Sequence, residues 1–291
     1  DMLIRLRNRL HYVSRRKNDQ LYLEQQVEMA EAFGYTGNDA VLAVENFMRD
    51  VYRQLRVVAV TTDLFFDHVD EVLGLAGKGP LSVPDKEIEK GVEIRLGSIH
   101  LVLPPQQLEA RPHVLMRLFL AAARTGLPLH HRTQKVVMAN LALITDKIRV
   151  SPRMSKAFLA LLIEAENIFP VLETMLETGM LQAYIPEFSR IVTLAQHDVY
   201  HIYTVDRHSL QTVAELRIVV AEQDTVYRQI VLPQILYLAA LLHDIGKGSG
   251  RDHSLEGAGI ALTVGRRLGL SSAECDLLSF LVRYHLFIPE N

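Results

Sequence analysis

The segment "LAALLHDIGKGSGRDHSLEGAG", Leu238 to Gly259, joins an apolar helix to side chains for which an apolar interior has no use. His243 and Asp244 close that helix, Gly246, Gly248 and Gly250 follow, and Asp252 and His253 stand at the head of another helix. Burying Asp244 at the end of so apolar a run is costly unless something positive compensates the carboxylate. Two further histidines hold comparable places. His208 falls in the first turn of a helix, and His285 follows Leu278 and Leu281 at spacings of three and four, on the inward stripe of the last helix. Imidazoles with a carboxylate suit a divalent metal, and facing helices of a bundle bring such ligands together. The gaps between the histidines are 35, 10 and 32 residues, so only the folded chain can unite them.

Each of these residues has a plain explanation when taken alone. A histidine at a helix start caps it or is solvated, one on an apolar stripe is more often a satisfied core residue, and His-Asp is a common dipeptide. The conjunction shifts the balance: His243 and Asp244 end an almost wholly apolar helix, and the glycines behind them let backbone approach closely. The candidate metal ligands are therefore His208, His243, Asp244, His253 and His285. Lys247 adds a positive charge where an anionic substrate can sit.

The elements that must position these residues are mostly helical. Leu21 to Phe33 and Ala40 to Val60 carry apolar residues at helical spacing, separated by the turn "GYTGND". "GKGPLSVPD", Gly77 to Asp85, interrupts the pattern, and "VEIRLGSIHLVL" then alternates as a short hairpin does. Helices resume near Gln106, with breaks at "TGLPLHHRT", where His130 and His131 read as loop residues, and at "RVSPRMS". Asp206 can cap a helix through "RHSLQTVAELRIVVAEQ", and Pro233 suits the opening of "PQILYLAALLHD". Ser254 or Asp252 caps a helix ending near Gly269, with Glu256 a favourable charge in its first turn. "SSAE", Ser271 to Glu274, is a capping box for the last helix.

Composition sets outer limits. A chain of 291 residues buries roughly three quarters of its unfolded surface. With 49% hydrophobic and 22% charged residues, it has the make-up of a globular protein. The longest apolar run, Ile230 to Leu242, is broken by Pro233 and Gln234, short of the ~20 residues a bilayer needs. The single cysteine, Cys275, excludes an intrachain disulfide and fits a reducing cytoplasm. A net charge of −3 argues against wholesale nucleic-acid binding. The basic stretch from Arg5 to Lys17 reads as a solvated helix face.

The motifs "RHSL", "LLHDIGKG", "DHSLEGAG" and "LVRYHL" together resemble the HD superfamily of metal-dependent phosphohydrolases. "QHDVYHIYTVDRHSL", with upstream "RLRNRLHYVSRRKNDQLYLEQQ", "VENFMRDVYRQLR" and "GMLQAYIPEFSRI", is similar more specifically to the bacterial bifunctional PII uridylyltransferase/uridylyl-removing enzymes. The resemblance implies a mostly α fold: a helical bundle of the HD-domain type, preceded by a helical domain with one small β-hairpin. It divides the chain into residues 1–78, a helical segment following an absent nucleotidyltransferase domain; 79–190, a helical region with the hairpin; and 191–291, the HD domain. The opening on Asp1 is that expected of a fragment, and no Gly-Ser loop with a following Asp-x-Asp pair occurs, so nucleotide transfer is not expected. Asp63, Asp67 and Asp70 read as a helix's polar face. The family's closing Asp lies beyond the position of His285, and the chain stops six residues after it, so the ligands present suffice for one metal but not securely for two.

The activity implied is release of UMP from the uridylylated PII signalling protein in cytoplasmic nitrogen regulation. The divalent ion would be Mn, Mg, Fe, Zn, Co or Ni. Asp244 would fix the attacking water, Lys247 would neutralise charge on the phosphoryl oxygens, and His253 would serve as ligand or proton donor. His197 and His201 would orient ligands or play a structural part. Two other readings fit the same motifs: an HD hydrolase of a free nucleotide or alarmone, and a metal-holding regulatory module with little activity.

Overall fold

The computed structural model describes residues 1–38, 41–75, 83–197, 203–222 and 229–287. The expectation of a mostly α chain holds. Helices α1 (Met2–Ser14), α2 (Leu23–Ala32) and α3 (Ala43–Val72) come first. The second amphipathic stretch does not stop near Val60 but continues through Asp63, Asp67 and Asp70 as one 30-residue helix. These three helices close around a core of their own, in which Phe47 and Met29 are fully buried and Leu6, Leu10 and Val51 nearly so.

The hairpin is instead a three-stranded antiparallel sheet, in the order β1 (Lys86–Glu89), β2 (Val92–Arg95), β3 (Ser98–Leu101). Strands β2 and β3 are those the alternation indicates, with Val92 opposite Leu101 and Ile94 opposite Ile99. Leu96 and Gly97 both take positive φ, 48° and 72°, as a tight primed turn between twisted strands requires. Strand β1 is polar and largely exposed; it joins through backbone pairing, which leaves no apolar alternation to read.

Helices α4 (Pro105–Ala110), α5 (Val114–Thr125), α6 (His131–Ala139), α7 (Asp146–Arg149), α8 (Pro152–Glu164), α9 (Phe169–Glu177) and α10 (Met180–Tyr184) follow, with a 3-10 turn over Pro186–Arg190. The last group is α11 (Val205–Glu222), α12 (Pro233–Leu242), α13 (His253–Arg267) and α14 (Ser272–Arg283). Helix α12 opens on Pro233, where a missing N–H costs nothing, and is apolar all round. It packs against α8, α11 and α14, which is why its sequence shows no polar face. A second apolar core runs without interruption from Val92 of the sheet to Val282 of α14. No helix among the described residues is long and apolar enough to cross a membrane.

Two capping signals act as read, and one does not. Asp252 caps α13 by accepting hydrogen bonds from the amides of Ser254 and Leu255, and Ser271 with Glu274 forms the capping box of α14. Asp206, however, is not the cap of α11. The helix already begins at Val205, and the buried Asp206 carboxylate accepts from the amide of Thr193 at 3.0 Å and lies 3.4 Å from Arg56 of α3. A long-range ion pair takes the group that local capping would have used.

Candidate metal centre

Helix α12 delivers its last turn to a cavity of about 500 Å³. His243, at the C-cap, and Asp244, just beyond, are both buried, Asp244 only 2% exposed. The chain must then turn sharply back to start α13. Gly246 packs directly beneath the first turn of that helix, and Gly248 takes φ +75°, a conformation that favours glycine.

The four sequence-predicted histidines converge on the Asp244 carboxylate and divide between its oxygens. His243 Nε2 lies 3.2 Å and His208 Nε2 3.8 Å from Oδ2, while His285 Nε2 lies 3.5 Å and His253 Nε2 3.8 Å from Oδ1. Two sets of three ligand-type atoms result, His208 with His243 and Asp244, and Asp244 with His253 and His285, each within 4.8 Å. Lys247 sits on the Oδ2 side at 2.8 Å and donates to Gln196 Oε1 at 2.7 Å. His285 reaches the group from the turn after α14 rather than from the helix face, because α14 ends at Arg283.

The backbone fixes how two of the rings present themselves. His243 Nδ1 donates to the Ala240 carbonyl at 2.8 Å, and His285 Nδ1 donates to that of Val282 at 2.7 Å. In each ring this presents Nε2 toward Asp244, the nitrogen that a metal beside the carboxylate would use. The buried Nε2 atoms of His253 and His285 have no hydrogen-bond partner among the described residues. Buried polar nitrogens without partners are costly, and a cation between them and the carboxylate would satisfy both sides. The mixed nitrogen and oxygen donor set suits a first-row divalent ion. The residues present fit such a group.

Charge at the site is set by burial and by these neighbours. Burial by itself would raise the Asp244 pKa, but the His243 and His285 imidazoles and the Lys247 ammonium reverse this and hold the carboxyl far below its usual range. Burial pushes His253 down from its ordinary pKa against the pull of Asp244. Asp244 is therefore anionic at any working pH, and His253 favours the neutral, ligand-competent form.

Several contributors had no local signal in the sequence. Gln196 anchors Lys247, and Val41, just ahead of α3, and Glu45, in its first turn, line the cavity from about 200 residues away in the chain. Arg251, within the motif region, lines it too. The His197 amide donates to Glu45, and its ring nitrogen lies 3.4 Å from the Leu23 carbonyl. His201 lies outside the described residues. Glu256 sits in the first turn of α13, near Arg190 and Arg251.

Comparison with known proteins agrees with this geometry. Residues 1–66 match the family described as GlnD PII-uridylyltransferase, residues 97–184 the uridylyltransferase GlnD third domain, and residues 197–291 the HD domain. Similar proteins include a bifunctional uridylyltransferase/uridylyl-removing enzyme of Ruegeria pomeroyi, 35% identical over 100% of this chain and 33% of its own length. The same description applies to a relative from Cereibacter sphaeroides, 35% identical over 98% of this chain and 32% of its own, and to one from Azospirillum brasilense, 30% identical over 95% and 31%. The chain thus spans about a third of the length of the curated relatives it matches.

Proposed function

Because this chain belongs to the family of bifunctional uridylyltransferase/uridylyl-removing enzymes, we propose that its HD region is the uridylyl-removing hydrolase, releasing UMP from uridylylated tyrosine on a PII signalling protein. The observation that carries the reading is the division of four imidazoles between the two oxygens of buried Asp244, at the wall of a cavity large enough for a nucleotide. His208, His243, Asp244, His253 and His285 would hold the metal, with Asp244 common to both sets of ligands. A divalent ion held there would supply a hydroxide nucleophile at neutral pH.

The chain's own residues supply the rest. Lys247, tethered by Gln196, holds its ammonium at the cavity wall, and Arg251 adds a second cation; both favour a phosphoryl group in the cavity. The leaving tyrosine has a pKa of about 10, so it departs without a strong general acid. Buried Asp206, pinned by Thr193 and Arg56, fixes the first turn of α11 and with it His208. The proposal retains residues 1–78, 79–190 and 191–291 as its three regions. It also gives the HD region a cytoplasmic setting and the nucleotidyltransferase and regulatory domains of a longer chain as partners.

The test pairs metal content with turnover. Purified chain is assayed for bound metal and for UMP release from uridylylated PII with and without added Mn²⁺, in the wild type and in Asp244→Ala. Release in the wild type that disappears in Asp244→Ala, together with loss or weakening of one equivalent of bound metal, supports the proposal. Metal retention without UMP release overturns it in favour of a regulatory module, and release only from free nucleotides overturns it in favour of a different hydrolase.

A further inference from the structure

A second group of ligand-type side chains lies where the end of α3 meets the start of α6, and it shares no residue with the cavity at Asp244. His68 and Glu71 are three residues apart in the last turns of α3 and so share one face. His131 is the first residue of α6 and only 3% exposed; His130 is its N-cap. The loop expected at these two histidines is thus a helix start packed against the sheet, where Leu101 of β3 donates to Thr133 Oγ1 at 3.0 Å.

Glu71 is held at one oxygen and bare at the other. Arg132 reaches Oε1 at 3.0 Å. Oε2 is buried with no hydrogen-bond partner among the described residues, although His131 Nε2 lies 3.3 Å away and His68 Nδ1 3.8 Å. The ligand atoms of His68, Glu71 and His131 all fall within 4.8 Å of one another. His130 plays another part. Its Nδ1 accepts from the Arg132 amide, which leaves the proton on Nε2, and its ring lies 4.1 Å from that of His100 and 4.2 Å from that of His131. This stack holds the His131 ring in place.

A buried carboxylate oxygen facing the imidazoles of His131 and His68, and that of His130 at 3.8 Å, without bonding any of them is the arrangement that a cation among them completes. Two imidazoles and one carboxylate exclude the hard ions, which take oxygen ligands, and suit a transition metal. We propose that His68, Glu71 and His131 bind a second divalent transition-metal ion of the zinc class, with water at the side left open by half-exposed His68. Its role is structural: it clamps the far end of the 30-residue α3 to α6.

The test uses the whole chain carrying Asp244→Ala with His243→Ala and His253→Ala, so that the cavity cluster is dismantled and no longer competes for the metal. Chelator-stripped protein is titrated with Co²⁺, read by its visible absorption bands, and with Zn²⁺ by equilibrium dialysis. One equivalent should bind, and adding His68→Ala should weaken it by on the order of a hundredfold or more, since even partners behind a ligand cost that much. His68 is exposed at the surface, so its replacement spares the fold; Glu71→Gln, which keeps an acceptor for Arg132, should weaken binding likewise. Absence of the cobalt bands, or equal affinity with and without His68, overturns the proposal and leaves an ion-pair cluster. Because Asp244 is already removed, either result is independent of the hydrolase reading.

Discussion

Replacing Gly246 with alanine tests how the turn behind His243 and Asp244 builds the site. A Cβ at this position would stand 2.6 Å from the Gly257 amide nitrogen and closer still to the carbonyl oxygen of His253. Ordinary contact begins at 3.4 Å, so the first turn of α13 must withdraw by about 0.8 Å or more. Both obstacles are backbone atoms and cannot rotate aside. Overpacking of this kind costs about 1–3 kcal/mol. The larger effect falls on the ligands, because His253 rides on the turn that moves and a misplacement of about 1 Å in such a site costs on the order of a hundredfold in rate. Gly259, further along the same helix, is the internal control: a Cβ there meets nothing within 4 Å, so Gly259→Ala should stabilise by up to about 1 kcal/mol through helix propensity. Thermal melting with metal affinity from chelator competition reads both variants. Gly246→Ala melting and binding metal as the wild type does would refute the reasoning, as would equal shifts of the same sign for both glycines.

Two further predictions concern how the site is held. Arg267 of α13 makes a two-pronged ion pair with Glu187, at 2.8 and 2.7 Å. Burial would raise the Glu187 pKa, but the guanidinium outweighs it and the net shift is downward. A carboxyl with a lowered folded pKa contributes stability above its unfolded value, about 4.3, and loses it as pH falls through the folded value. Glu187→Gln should therefore cost about 1–2 kcal/mol at pH 7, and the gap to the wild type in denaturant melts should close below about pH 4. Ser271→Ala removes half of the capping box of α14 and should cost about 1 kcal/mol, a fall of about 2 °C in Tm, while metal content stays unchanged.

What the sequence made legible was local. Pro233, Asp252 and the Ser271 to Glu274 box are signals within one turn of the boundaries they mark, and they act where they were read. The five candidate ligands were legible for a related reason, since a buried His-Asp pair conflicts with its apolar helix and that conflict is visible in the string of residues. What was not legible depended on distant partners. Asp206 has the right type and place for a cap, but Thr193 and Arg56 claim its carboxylate. Gln196 becomes part of the site only because Lys247 folds against it. His130 and His131, between Pro128 and Arg132, look like loop residues until α3 brings Glu71 to them. Strand β1 pairs by backbone alone, and no side-chain pattern announces that.

The unbroken apolar core from Val92 to Val282 bears on what can be separated. Helix α12, which carries His243, rests on α8 as well as on α11 and α14. A cut between residues 190 and 191 would leave the stretch that carries the His-Asp cluster with an apolar helix facing water on one side, and the HD region would be a module in sequence without being portable in space. Grafting it elsewhere would require carrying along helices α5 to α10 of the same core, none of which supplies a side chain to the cluster at Asp244. The precision of that cluster is borrowed from the neighbours that hold its helix upright.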